Sequence, residues 1–186
     1  HVPAEECRVG EGAPGARRGG IEEAVARAAD AKLRPVAAHA AEAIVAGEKI
    51  AVLGNRRAWV PRMAAAVESA LPSGVRRDGR VWLRATSGED DVSARLRLAD
   101  EFMHLRVGPG EQYRAACLVA TGESIETSID LHDADRVLNA ALPWTPAGVE
   151  QREGRFRRIG QARPVQYVFY IAEGTIDEAI ERTLIG

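Results

Sequence analysis

Apolar positions along the chain switch repeatedly between two spacings. From Ile21 to Ala31 and from Pro35 to Ala46 they recur at helical spacing, with Gly47 as a stop, and the run KIAVLG (Lys49 to Gly54) then reads as a short apolar strand. The alternation repeats. A helix from Ala58 to Leu71 puts Trp59, Met63 and Val67 on one face and ends before Pro72, and a strand follows at Val81 to Ala85. Glu89, Asp90 and Asp91 suit a helix N-terminus, and Val92, Leu96, Ala99 and Met103 are the expected apolar stripe of that helix. AACLVAT reads as a buried strand, and RVLNAA and VQYVFYI as two more. Between those two lies a helix opened by Pro146 and carrying an arginine cluster, and TIDE (Thr175 to Glu178) is a capping box opening the last helix.

Repeated β-α order predicts an α/β fold, a mostly parallel sheet with helices on both faces and ligands outside the carboxyl ends of the strands. Residues 1–20, rich in Gly, Pro and charge without a period, predict a linker or loosely ordered arm before one domain over 21–186. His1 in place of Met points to a processed chain, a tag remnant or a fragment of something longer.

Composition narrows the partners. With 25 Lys+Arg against 27 Asp+Glu, net charge -2, the chain is no polybasic binder, so any nucleic acid must be met by a local patch. Lys32 and Lys49 are the only lysines. The arginine bias suits bidentate phosphate contacts and equally suits a GC-rich genome. Cys7 and Cys117 stand apart from any CxxC or histidine cluster, so no zinc site or disulfide framework is indicated, and a reducing cytoplasm is the expected location. No apolar run is long enough to span a membrane and no signal-peptide pattern opens the chain.

There is no GxxxxGK[ST], no acidic pair after an apolar strand to hold magnesium, no HExxH and no GxSxG. A complete active site is therefore absent from this sequence. It does contain QREGRFRRIGQARP, Gln151 to Pro164, with five arginines: Arg152, Arg155, Arg157, Arg158 and Arg163. Alone, such a cluster reads as a solvated basic helix face or an RNA-binding patch.

Gln151, Gly154, Arg155 and Arg158, however, are spaced Q-x-x-G-R-x-x-R, which resembles helicase motif VI. The surrounding DADRVLNAALPWTPAGVEQREGRFRRIGQARPVQYVFYIAEGTIDEAI, Asp133 to Ile180, resembles the closing half of a Swi/Snf-type superfamily 2 helicase or DNA translocase. GEKIAVLG is similar to the motif IV strand, LRATSGEDDVSARLRLADEF to the segment after it, and VATGESIETSIDL takes the place of motif V. The likeness runs from about Lys32 to Leu184 and implies a RecA-like (P-loop NTPase-type) second lobe. Motif V departs from the family: Ile125, Glu126, Thr127 and Ser128 stand where glycines are usual, and Asp130 where Asn is usual.

The resemblance implies ATP and Mg2+ as cofactors, held mainly by an N-terminal RecA-like lobe supplied in cis or in trans, and double-stranded DNA as partner. Arg158 is then the finger, Arg155 its companion and Gln151 a positioning group, with Gly154 and Asp130 at the nucleotide. Arg56, Arg57, Thr86 and Thr121 face the DNA backbone. Thr121 serves equally well as a helix N-cap, and Arg56 and Arg57 as plain surface charge. Arg152, Arg157 and Arg163 are expected at the surface or facing DNA, and Trp144 packed between the motif VI helix and the sheet. His39, His104 and His132 share no ligand spacing. A different class of protein, a non-catalytic DNA- or protein-binding module derived from such a lobe, is favoured by the altered motif V and disfavoured by the intact Q-x-x-G-R-x-x-R.

Overall fold

The computed structural model describes residues 5–9, 20–126, 131–156 and 164–185. Among these residues six strands form one sheet: β1 (Glu5–Val9), β2 (Lys49–Gly54), β3 (Val81–Thr86), β4 (Ala115–Thr121), β5 (Arg136–Asn139) and β6 (Gln166–Ala172). Their order is β1-β6-β5-β2-β4-β3 and every neighbouring pair is parallel. The α/β sheet expected from the β-α alternation is thus present. The strand at Glu5–Val9 corrects the reading of residues 1–20 as an arm only, because these five residues pair with Val168 to Ala172 of β6. Their backbone is ordered by an edge that the local composition does not announce.

Among the described residues seven helices connect or flank the strands: α1 (Ile21–Ala46), α2 (Trp59–Ala70), α3 (Ser73–Asp78), α4 (Val92–His104), α5 (Gly122–Glu126), α6 (Pro146–Gly154) and α7 (Ile176–Ile185). The two helical stretches expected on either side of Arg34 are one helix, with Pro35 inside it. An interior proline forfeits a backbone hydrogen bond and costs about 3 kcal/mol. Here Ala28, Lys32, Val36, Ala40 and Ile44, spaced by four, are all buried along α1, and that continuous packing outweighs the break. The helix stops at Gly47, whose φ of 87° is the left-handed conformation glycine adopts freely.

Alternating strand residues separate two cores. Ile50, Val52, Cys117, Val119, Leu138 and Tyr170 face α1 and α2, where Trp59, Met63 and Val67 are buried as their spacing required. Ala51, Leu53, Ala116, Leu118 and Val137 face the other way, toward α4, Ile125 and Phe156. The connection that moves outward to β3 lies on one face and those that move back toward β6 lie on the other, as right-handed crossovers demand.

On α4 the expected stripe is displaced. Val92 and Leu96 are exposed at 52% and 44%, whereas Ala99 and Phe102 are buried with Arg95 and Leu98 beside them. The helix is rotated because Trp82 on β3 and Phe102 pack ring to ring, 5.8 Å between centroids. Asp91 is its N-cap, accepting from the Ser93 amide, and hydrogen bonds from Ser93 hold that carboxyl below its ordinary range. At α7 the expected capping box takes another form. Thr175 Oγ1 accepts from the Asp177 amide, while Glu178 reaches back to the Gly174 amide instead of its cap residue.

Candidate functional site

The strands β2, β3, β4 and β5 end together, with Gly54 in register with Thr121, Thr86 with Ala120 and Asn139 with Leu53. The segments that follow β2, β4 and β5 meet in a cleft of about 580 Å³, lined by Gly54, Asn55, Gly122, Trp144, Gly148 and Gln151 among others. This is the carboxyl edge where such sheets bind ligands. A larger hollow of about 820 Å³ opens at the opposite edge around Lys49, Asp133 and Asp135, and none of the candidate site residues named from the sequence lines it. The Lys49 ammonium there is already engaged by Asp133 and by the carbonyls of Met103 and Leu105. The smaller cleft is therefore the candidate site.

Thr145, on leaving β5, caps α6 by accepting from the Gly148 amide at 3.1 Å, with Pro146 in the first turn. The helix buries Arg152, and the turn that follows it buries Phe156 four residues on. Gln151 and Gly154 consequently face outward and Arg155 is half-buried. Two expectations are corrected here. Arg152 is 7% exposed, not a surface charge; it donates to the Ala141 carbonyl at 2.6 Å, and its guanidinium lies against Gly122 so closely that a Cβ there would collide with it. Trp144 is 54% exposed at the cleft, not packed between α6 and the sheet, because α6 is held by Arg152 and Phe156 instead.

The helix ends at Gly154, so Arg155 is its C-cap and not part of a longer helical face. The Arg155 carbonyl accepts from the Leu131 amide at 2.8 Å. That bond ties the motif VI turn to the last residue of the motif V segment. Arg157, Arg158, Arg163 and Asp130 lie outside the described residues, as do Thr127 and Ser128. In motif V itself, Ile125 is fully buried in the second core, which accounts for an apolar residue at that position.

Thr121 and Thr86 are both buried at strand ends. Thr86 donates to Asp90 at 2.9 Å, and Asp90 also accepts from the Ser87 amide, so the Thr86 hydroxyl organises its own turn. The Thr121 carbonyl accepts from the Ser124 hydroxyl. Arg57 pairs with Glu89 at 3.0 Å, an exposed ion pair, and Arg56 donates to the Glu22 carbonyl. Both arginines thus stand beside the cleft edge, each with an exchangeable surface contact. Asn139 escaped notice in the sequence: it is 1% exposed at the end of β5, with neither amide atom hydrogen-bonded. Only its place inside RVLNAA, a polar residue closing an apolar run, could have flagged it.

His39 is drawn into a half-buried chain, with Nε2 against Arg136 and Nδ1 against the Tyr170 hydroxyl, each at 2.5 Å. Among the described residues no group of three or more His, Cys, Asp or Glu side chains could hold a metal ion, and no helix is long and apolar enough to cross a membrane.

Residues 86–160, from the end of β3 through the motif VI turn, match the family described as helicase conserved C-terminal domain. The chain is 27% identical over 157 residues to the SWI/SNF-related matrix-associated actin-dependent regulator of chromatin subfamily A-like protein 1 of Drosophila melanogaster, covering 83% of this chain and 18% of that protein. It is 30% identical over 129 residues to helicase swr-1 of Neurospora crassa, covering 69% of this chain and 7% of that protein. Among solved structures, the C-terminal part of the Fun30 ATPase domain superposes with a TM-score of 0.59 at 17% identity, covering 76% of this chain and 41% of that one. The E. coli DEAD-box protein SrmB gives 0.58 at 17% identity, covering 99% and 84%. The fold is that of a RecA-like helicase lobe. These likenesses support a C-terminal lobe of the Swi/Snf type within superfamily 2, and the chain spans less than a fifth of the length of these two curated relatives.

Proposed function

We propose that this lobe is half of an ATP-dependent DNA helicase or translocase, working with a Walker-containing N-terminal lobe in cis or in trans. The observation that carries the reading is the two-sided character of α6. Arg152 and Phe156 anchor its inner side, which leaves Gln151, Gly154 and the Arg155 turn turned outward toward whatever closes on that surface. The exposed Gln151 amide and the half-buried Arg155 in the turn after it belong to residue types suited to phosphate oxygens. In the proposed motor Arg155 and Arg158 reach the phosphates of ATP held with Mg2+ by the first lobe, Gln151 positions the group, and Gly154 and Asp130 line the nucleotide. Bound ATP supplies the phosphoryl transfer, and the arginines stabilise the charge that develops as it proceeds.

Double-stranded DNA is the proposed substrate. Its backbone runs over the carboxyl edge past Arg56, Arg57, Thr86 and Thr121, and the exposed Trp144 ring adds an apolar contact at the same cleft. The changed motif V favours a second reading, a non-catalytic DNA- or protein-binding lobe.

The test is a motor reassembled with its Walker-containing lobe, assayed by steady-state hydrolysis at saturating DNA. Arg158→Ala and Arg155→Ala are expected to lower kcat by about 10³-fold or more with little change in KM, and Arg157→Ala far less. Equal losses for all three, or defects confined to KM, would support the non-catalytic lobe. The chain alone is expected to hydrolyse no ATP and to bind duplex DNA weakly, with affinity falling steeply as salt rises. Binding that ignores salt would refute the backbone contacts.

A further inference from the structure

The terminal strand β3 lies at the far edge of the sheet from β1, and among the described residues no strand pairs with its outer side. An open edge offers unpaired amides and carbonyls to any extended chain. Its two faces differ in a regular way. On one face Val81 and Leu83, with Leu71 and Val75, line a small groove of about 150 Å³ rimmed by Arg76 and Glu68. On the other, Arg84 is exposed above Trp82, its guanidinium 5.4 Å from the ring centroid, and Arg80 lies beside it, donating to the Glu111 and Gln112 carbonyls. Arg76 and Arg77, at the end of α3, are exposed nearby, with Asp78 the acidic residue between them and the strand.

A strand added to this edge would present its side chains alternately to the two faces. One set would meet the apolar groove and the other the Arg80–Arg84 side. We propose that β3 is a docking edge for an extended acidic segment of a partner protein, in which Glu or Asp alternates with Val, Leu or Ile. Main-chain hydrogen bonds to β3 hold the segment, the groove selects its apolar positions, and Arg84 selects its acidic ones. Charge alternation sets this partner apart from a generic hydrophobic strand, which would leave Arg84 unmatched, and from a nucleic acid, which has nothing to place in the groove. The edge is remote from the cleft around Gln151, so the proposal is independent of the motor reading.

The experiment titrates the full chain with a heptapeptide alternating Glu with Val and Leu, followed by NMR amide hydrogen exchange. The expected result is slowed exchange centred on residues 81–86, with affinity lowered about tenfold or more by Arg84→Glu and unchanged by Arg34→Glu, a reversal at an exposed position on α1. A scrambled peptide of the same composition should bind much more weakly. Equal binding of the scrambled peptide, protection elsewhere, or no binding at millimolar peptide would overturn the proposal. So would a concentration-dependent dimer that protects β3 without peptide, or duplex DNA whose binding depends on Arg84 while the peptide leaves β3 unprotected.

Discussion

Arg152 on α6 donates to the carbonyl oxygen of Ala141, just beyond β5, at 2.6 Å, and this buried contact fixes where the motif VI helix lies on the sheet. The same guanidinium fills the space over Gly122, so the first residue of α5 can only be glycine without a displacement. Gly122→Ala should therefore cost about 1–3 kcal/mol through overpacking, and Arg152→Ala about 2 kcal/mol or more through the lost charged hydrogen bond and the uncovered carbonyl. In the Arg152→Ala background the added methyl has room, and Gly122→Ala should cost much less. Urea unfolding of the four proteins gives the coupling; strict additivity would mean that the two residues do not constrain each other.

Lys32 of α1 and Asp177 of α7 form a buried pair at 2.5 Å, and Asp177 also accepts from the Ala172 amide at 3.0 Å. Breaking such a pair from one side leaves a stranded charge, so Lys32→Met should lose about 3–5 kcal/mol. Lys32→Met with Asp177→Asn should recover much of that, since Asn can still accept from Ala172. Burial depresses the Lys32 pKa below its ordinary value despite the attraction of Asp177. The unfolded chain then binds the Lys32 proton more tightly, so between the lowered value and about 10.5 this group makes stability rise with pH. Denaturation across alkaline pH should show that rise in the parent and a flatter profile in the double variant; identical slopes would contradict it.

Glu48, just before β2, accepts from the Arg136 guanidinium at Oε1, 2.9 Å, and its Oε2 is buried without a hydrogen bond. Burial raises its pKa, opposed by Arg136 and assisted by the Asp135 charge. A raised carboxylate favours folding in its protonated form. Its contribution is therefore complete below about 4.5 and is lost as pH rises through the raised value. Glu48→Gln, neutral at every pH, should remove this decline, with stability close to the parent near the acid limb and higher than the parent at neutral pH. Chemical denaturation at a series of pH values is the check, and an unchanged slope in Glu48→Gln would place the titration on another group.

Much of this molecule follows from chain pattern alone. The strands at Lys49–Gly54 and Ala115–Thr121 are apolar at nearly every position because both sheet faces are covered, and such runs have few alternatives. Trp59, Met63 and Val67 declared the inner face of α2, Gly47 a helix end, and Q-x-x-G-R-x-x-R with its flanking residues the kind of lobe. In each case the signal is local, set by the geometry of one helix or strand.

Tertiary structure decided what depends on a neighbour. Pro35 reads as a break until α1 is seen to be buried continuously across it, and Glu5–Val9 reads as an arm until the edge of β6 pairs with it. Val92 and Leu96 satisfy the period on α4, yet the ring of Trp82 sets that helix's rotation. Arg152 and Trp144 exchanged their expected places because a buried carbonyl at Ala141 could satisfy a guanidinium, while nothing in the packed layer required the indole. Spacing names the side of a helix on which a residue sits; only contact with another element decides whether that side is covered.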